Sequence, residues 1–467
     1  MLPKIIQGGM GVHISTPTLA RTVALLGGLG TVSGVAADKM LARLLQSGDP
    51  GEHLRRALSN FPDHKIARQV LGTYFVPGGI SPGTPYKHVS AVTLSPSRQS
   101  IALLLCGNFA LVWLAKEGHR NPISINWLEK MQMPHLASIA GAMLAGVDVV
   151  TMGAGIPLQV PSVLDALAQG QPAEYRVTVT GSTDGTVAMR FDPREFFGQT
   201  WPDMKRPDFL PIVSTDILAG LMMKKIPDGI QGFVIEQPTA GGHNASPRGT
   251  YSLNESGEPI YGERDRPNFK KLQGLGVPFW IGGSYASPAK LAQAIAVGAH
   301  GIQVGSIFAL SNESGLAPCH RQEIIRRWHR GQLRVRTDIH ASPTGFPFKV
   351  AELPGTLSEE AVYLARHRSC NQRGLATPHQ LPNGEIVYRC SAERVKDYLA
   401  KGGDENDAIG ARCICNGLIA TTGLGDPGEP AIVTLGDDVN FLRYLTETEH
   451  STYTAAQAMA YLLDPVE

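Results

Sequence analysis

The sequence predicts a (β/α)8 TIM barrel with two insertions and a mainly helical C-terminal extension. Three observations carry that reading. Short β-branched or apolar runs recur between residues 4 and 304, most of them followed by a helical pattern, which implies βαβ units and a parallel sheet. There are eight such runs, which favours a closed barrel over an open sheet. Each run ends in glycine, serine or asparagine, or close to one, at the carboxyl ends where barrel loops carry function.

The runs are Lys4–Gln7, ending in Gly8 and Gly9; Leu29–Ser33, closing at Gly34; Pro122–Asn126; and Val147–Met152, ending in Gly153, Ala154 and Gly155. Then come Phe209–Ser214, Gly232–Glu236, Pro278–Ile281 with Gly282 and Gly283, and Gly301–Val304 with Gly305 and Ser306. Helical patterns fill gaps at Thr16–Leu26, Leu136–Ala145, Ile217–Lys225 and Ser287–Val297. The last is well marked: Ser287 can cap it, Pro288 fits the first helical position, and the apolar stripe stops at Gly298.

Two stretches interrupt the alternation. Residues 37–120 hold helical material and a Gly/Pro-rich loop. Their longest apolar stretch, Ile101–Ala115, falls short of the roughly 20 residues that span a bilayer, and Gly107 and Asn108 interrupt it. It reads as a buried strand and the start of a helix. Residues 165–208 contain two alternating runs, Tyr175–Thr180 and Thr186–Phe191, joined by a Gly- and Asp-containing turn, which predicts a hairpin. The barrel is expected over residues 1–335. Pro343, Pro347 and Pro354 mark a linker-like stretch that opens an extension over residues 340–467.

Composition excludes some classes of function. The 467 residues are 43% hydrophobic, enough for one large core plus an appended unit. Lys and Arg number 42 against 41 Asp and Glu, so no global field favours nucleic acid or an acidic membrane. The opening MLPKIIQGGM lacks the apolar run of a secretory signal. Six cysteines in so long a chain do not resemble a secreted disulfide framework, and a reducing cytoplasm is expected. The 52 glycines have no collagen period; they mark tight turns and places where the backbone must approach something closely.

The most specific chemistry lies in Pro278–Leu310. One strand ends in Gly282-Gly283-Ser284 and the next in Gly305-Ser306, with a helix between. Adjacent glycines let backbone N–H groups reach an anion, and the loops after strands seven and eight are the usual barrel phosphate site. Ser284 and Ser306 would add hydroxyl donors. After strand six, Gly241 and Gly242 present His243 at the barrel mouth, where an imidazole can take a proton or polarise an oxygen. Gln7-Gly8-Gly9-Met10-Gly11 suits packing against a flat ring. Gly28-Leu29-Gly30 lacks the third glycine of a dinucleotide fingerprint and runs into a strand rather than a helix, so it is set aside.

Cys370, Cys390, Cys413 and Cys415 cluster late in the chain, with a C-x-C pair, but their spacings match no zinc or iron–sulfur pattern and no metal is assigned. Cys106 and Cys319 read as structural. Arg248, near the mouth, reads equally as a surface residue or as a contact for an anionic substrate tail. Residues Lys116–His119 read as a helix end with a basic last turn.

Taken together, QGGM at 7–10, GGLGTVSG at 27–34, INWLEK at 125–130, GAGIP at 153–157, AGGH at 240–243, IGGS at 281–284 and QVGSIF at 303–308 resemble the nitronate monooxygenases (2-nitropropane dioxygenases) and the FMN-dependent enoyl-ACP reductase II enzymes. The resemblance covers roughly residues 3–310. It implies an FMN-containing TIM barrel. By motif, Gly8, Gly9 and Met10 would lie along the flavin ring, Asn126 would reach its edge, and Gly282, Gly283, Gly305 and Ser306 would hold its phosphate. Gly241 and Gly242 would flank the cofactor, and His243 matches the family's active-site histidine. Strand five ends in Val213-Ser214-Thr215, where many nitronate monooxygenases carry a flavin-contacting lysine; Ser214 takes that place toward the cofactor. The chain continues for about 150 residues past the eighth strand, unlike compact members. In this it is similar to a longer subgroup that includes trans-acting enoyl reductases of polyketide and polyunsaturated fatty acid synthesis.

The resemblance implies one of two reactions. In one, alkyl nitronates are oxidised with O2 to a carbonyl compound and nitrite, with His243 as base or anion stabiliser. In the other, NAD(P)H is the reductant and an enoyl thioester, carried by an acyl carrier protein, is reduced. A non-catalytic flavin-binding scaffold is the third reading.

Overall fold

The computed structural model describes residues 2–198 and 204–464. Eight parallel strands form one sheet: β1 (Ile5–Gln7), β2 (Gly30–Ser33), β3 (Ile123–Leu128), β4 (Val149–Gly153), β5 (Asp208–Val213), β6 (Phe233–Glu236), β7 (Phe279–Gly282) and β8 (Gly301–Val304). Each pairs in parallel with its neighbour in chain order, and β8 pairs back onto β1, with Ile5 opposite Ile302. The ring closes between β1 and β2. Gln7 N donates to Leu29 O at 3.0 Å, and Leu29 N donates to Ile5 O at 2.9 Å. The architecture is therefore the closed (β/α)8 barrel expected from the alternation.

The barrel's interior is filled near its amino end by Ile6, Leu29, Val149, Leu210, Val234 and Trp280, all fully buried. The Trp280 indole N–H donates to Pro3 O at 2.9 Å, so the bulkiest side chain of this layer is also satisfied. That plug leaves the carboxyl ends of the strands as the open face. Helix Pro288–Ala296 follows β7 as expected: Ser287 caps it by accepting from Lys290 N, and Pro288 opens it.

The first insertion corrects one expectation. Residues 98–116 form a single helix, Arg98–Lys116, rather than a strand and a helix start. Asn108 does not break it, because its Nδ2 donates to Leu104 O within the helix while its Oδ1 accepts from Trp127 Nε1 at 3.1 Å. The helix is long and apolar enough to cross a membrane, yet it is largely buried against helices Pro17–Leu25, Ala37–Gln46 and His135–Leu144. The second insertion is a hairpin, Ala173–Thr178 with Thr186–Phe191, in antiparallel register. The stretch 165–208 also includes residues 199–203, which lie outside the described residues.

The extension is less helical than the sequence suggested. Its helices are short, and two antiparallel ribbons join them: Val335–Asp338 with Phe348–Ala351, and Thr377–Gln380 with Ile386–Arg389. Long irregular stretches lie between. Pro and Gly punctuate this region often enough to keep helical runs brief. The extension also shares its core with the barrel loops: Phe348, Leu375, Ile414, Leu418 and Ile419 pack with Val12, Val35 and Met40. Arg43 ties the first insertion to it through Asp426 at 3.0 Å. The extension is thus a cap seated on the barrel's open face, and residues 465–467 of the expected range lie outside the described residues.

Candidate active site

The barrel mouth and the cap enclose a cavity of about 230 Å3. Gly8, Gly9, Met10, Asn126, Gly241, Gly242, His243, Gly282, Gly283, Ser284, Gly305 and Ser306 all line it. Residues chosen from five separated segments of the sequence therefore meet in one space. Ser214 is not among them. It lines a neighbouring hollow with Gln237, Pro238 and Arg248, on the other side of the loop after β6. Arg248 sits in that hollow too, and its backbone N–H donates to Asp265 Oδ1 at 2.8 Å.

One end of the cavity is rich in donors. At Gly283, φ is +97°, and a Cβ there would lie 2.9 Å from Thr239 Oγ1. Ser284 follows at φ +56°, a left-handed conformation that a non-glycine residue holds only under constraint. Free backbone N–H groups gathered in a tight turn can make an anion-binding concavity. The amides of Gly283 and Ser284 have no protein acceptor among the described residues. The Thr239 hydroxyl is buried with no partner and also lines the cavity. Ser306 Oγ accepts from Gly436 N at 2.9 Å, which leaves its own proton free to donate. This end fits a phosphate.

The middle is flat and apolar on one side. Gly9 stands against Asn126: a Cβ on Gly9 would come within 2.2 Å of Asn126 Cβ. Asn126 is fixed from behind, its Oδ1 accepting from Thr151 Oγ1 at 3.1 Å. Met10 lies beside Gly305. Glu236, at the end of β6, also lines the cavity, and burial pushes its carboxyl up to about 8, so it is largely protonated at neutral pH.

His243 occupies the cap side. Its ring meets Phe348 edge-on with centroids 4.9 Å apart, and its Nε2 lies 2.7 Å from Ser342 Oγ. Burial, aided by the Lys130 charge, lowers its imidazolium to about 3. The ring is therefore neutral at pH 7 and can take up or give a proton only in exchange with a partner. The cap completes this side with Leu375, Ile414, Leu418 and Ile419, while Lys39 from the first insertion is also in the lining.

Thr239, Glu236, Gln303, Ala154 and every cap residue were missed by sequence reasoning. Thr239 lies inside the quoted EQPTAGGH segment and Gln303 inside QVGSIF, so proximity to the motifs could have found them. The cap residues carry no local signal. The cysteines are all free thiols: Cys415 lines the cavity, and Cys370 hydrogen-bonds Cys390. Among the described residues no three His, Cys, Asp or Glu side chains group as a metal site.

No family model and no curated protein matches the chain. Solved structures do. FabK from Thermotoga maritima is 15% identical, covering 99% of this chain and 91% of its own, with a TM-score of 0.44. Nitroalkane oxidase from Streptomyces ansochromogenes is 14% identical, covering 98% and 94%, with a TM-score of 0.46. The enoyl reductase domain of MlnA, from the macrolactin biosynthesis cluster of Bacillus amyloliquefaciens, is 11% identical over 98% and 94%, with a TM-score of 0.44. The second is by name a nitroalkane oxidase and the third an enoyl reductase domain.

Proposed function

We propose that the chain is an FMN-dependent oxidoreductase acting on small-molecule substrates. The observation that carries this reading is the donor-rich end of the cavity, Gly283, Ser284, Thr239 and Ser306, placed after β6, β7 and β8 and opening onto the Gly8–Met10 wall. The first group suits a phosphate and the second a flat ring. Bound there, FMN would supply the electron transfer. The protein's own part is to hold the phosphate, to keep the ring against Gly9 and Asn126, and to present His243 on the opposite side.

Within that class we propose oxidation of alkyl nitronates with O2 to a carbonyl compound and nitrite. A neutral His243 is suited to take the α-proton of a nitroalkane or to donate a hydrogen bond to a nitronate oxygen. A second reading is favoured by one observation: Leu375, Ile414, Leu418 and Ile419 give the cap side an apolar wall. That wall suits the chain of an enoyl thioester, delivered by an acyl carrier protein and reduced at the expense of NAD(P)H, with His243 supplying a proton or steadying the developing enolate.

Anaerobic mixing of the purified protein with propyl nitronate, and separately with NADPH, tests both. Bleaching of the yellow absorbance by the nitronate alone supports the first reading, and by NADPH alone the second. A protein that carries no flavin overturns both. His243→Ala is expected to keep its flavin and lose turnover.

A further inference from the structure

Beyond His243, the cap builds a connected row of polar groups that no step above has used. Ser342 Oγ is 2.7 Å from His243 Nε2 and 2.7 Å from Thr344 Oγ1. Thr344 Oγ1 in turn accepts from Lys130 Nζ at 3.4 Å. Lys130 follows β3, Ser342 and Thr344 lie in the loop between the strands of the first ribbon, and His243 follows β6. Three segments far apart in sequence thus converge on one line. Thr344 N also donates to Ser342 Oγ at 3.3 Å, which fixes the loop that carries both hydroxyls.

One polarity serves the row throughout. An ammonium can only donate, so Thr344 Oγ1 accepts from Lys130 and keeps a proton that it can give to Ser342. Ser342 then points its proton at His243 Nε2. The imidazole hydrogen is left on Nδ1, which has no protein partner among the described residues while the ring lines the cavity.

We infer that Ser342 and Thr344 form a proton relay between His243 and Lys130, with Lys130 acting as a positioning residue that supplies and recovers the proton His243 exchanges with substrate. The inference rests on the reading of His243 as the proton-transferring group. When a substrate atom takes the proton from Nδ1, Nε2 takes the Ser342 proton. Ser342 takes that of Thr344, and Thr344 takes one from the Lys130 ammonium. The imidazole ends neutral with its hydrogen moved from Nδ1 to Nε2, and Lys130 ends as a free amine that recovers a proton from water. Proton abstraction runs the same transfers backward from the state in which Lys130 is a free amine and the imidazole hydrogen sits on Nε2, a state open to a lysine lowered to about 7.

The surroundings of Lys130 suit that task. Its Nζ lies over the Phe346 ring, a cation–π contact, while the side chain stays half-buried and within reach of water. Burial lowers its ammonium to about 7, opposed by the neighbouring Glu129. Glu129 is itself occupied, its Oε1 accepting from Gln132 Nε2 at 2.7 Å and from Tyr175 OH at 3.4 Å, and burial raises its carboxyl. Glu129 and Tyr175 on one side and His243 on the other are the titratable groups facing Lys130. A lysine poised near neutrality can both give and take a proton at physiological pH.

The test reads His243 directly. Full-length protein labelled with 15N-histidine is compared as wild type, Lys130→Met, Lys130→Arg and Ser342→Ala, with His243→Asn used only to assign the resonance. Flavin content is measured separately by absorbance. The relay predicts the Nδ1–H tautomer in the wild type and in Lys130→Arg. It predicts a shift toward Nε2–H in Ser342→Ala. In Lys130→Met, loss of the positive charge should raise the pH at which His243 protonates by about one unit or more. Nitrogen shifts of His243 that stay unchanged in both Ser342→Ala and Lys130→Met overturn the relay, as does a Lys130→Arg protein that behaves like Lys130→Met. A protein without flavin that still shows the predicted tautomer response overturns the proposed function and leaves the relay standing.

Discussion

The backbone N–H of Gly436, in the cap, donates to Ser306 Oγ, at the end of β8, across 2.9 Å. One residue of the expected phosphate grip is therefore also a fastening point for the cap. Ser306→Ala should weaken both. Loss of this bond and of the hydroxyl's contact with the ligand is expected to cost about 1 kcal/mol in FMN binding, roughly fivefold in Kd. Flavin fluorescence titration measures the first effect. Faster limited proteolysis within residues 425–440 of the flavin-free protein measures the second.

Thr239 should show opposite signs in two assays. Its hydroxyl is buried without a partner, so it carries a desolvation cost in the empty protein. Thr239→Val removes that cost at nearly constant volume. The flavin-free protein is expected to gain about 1 kcal/mol of stability, seen as a higher Tm, while FMN affinity falls. A Tm that drops along with affinity would assign the hydroxyl a structural role instead.

Gly9→Ala tests how closely the first loop approaches β3. Its Cβ would come within 2.2 Å of Asn126 Cβ, and Asn126 is held by Thr151, so the strain cannot be relieved by a simple rotation. Overpacking of this kind typically costs about 1–3 kcal/mol. Reduced flavin content with an otherwise native circular dichroism spectrum is expected.

Three buried histidines set the acid limit of stability. Burial lowers His13 and His135 to about 4 and His243 to about 3, against an ordinary 6.5. Each stays neutral in the folded protein while the unfolded chain takes up a proton below about 6.5. Stability from these groups is full above pH 6.5 and is lost as pH falls toward 4. Glu236 has the opposite sign: raised to about 8 from 4.5, it contributes fully below pH 4.5, and that contribution is lost as pH rises toward 8. Urea unfolding at pH 5, 6.5 and 8 should show His135→Gln flattening the acid side and Glu236→Gln the alkaline side.

The barrel and half of its mouth were legible for one physical reason. A loop that must bring backbone N–H groups against a ligand needs glycine, and glycine at a strand's end is visible in sequence; Gly8, Gly9, Gly282, Gly283 and Gly305, picked out on that ground, line one cavity. Ser214 lines the neighbouring hollow instead, since a strand's end does not say which space its side chain will face. Helix Arg98–Lys116 was misread because Asn108 looks like a break until Leu104 and Trp127 are there to satisfy it. Leu418 and Gly436 reach the cavity, and Ser342 and Thr344 reach His243 and Lys130, only through the tertiary seating of the cap, for which no periodicity or spacing exists.

The seam of the barrel has a consequence for how the molecule is made. β1 finds its partner β8 nearly three hundred residues later, and the grip at Ser306 waits a further 130 residues for Gly436. Contacts that distant close slowly, because much chain entropy is lost before they stabilise anything. As the ribosome delivers the polypeptide, the first strand can meet β2 early, but its other edge and its glycine turn wait for β8 until nearly three hundred further residues are made. The nascent chain should therefore depend on chaperones over that interval, and loading of its coenzyme should be a post-translational event.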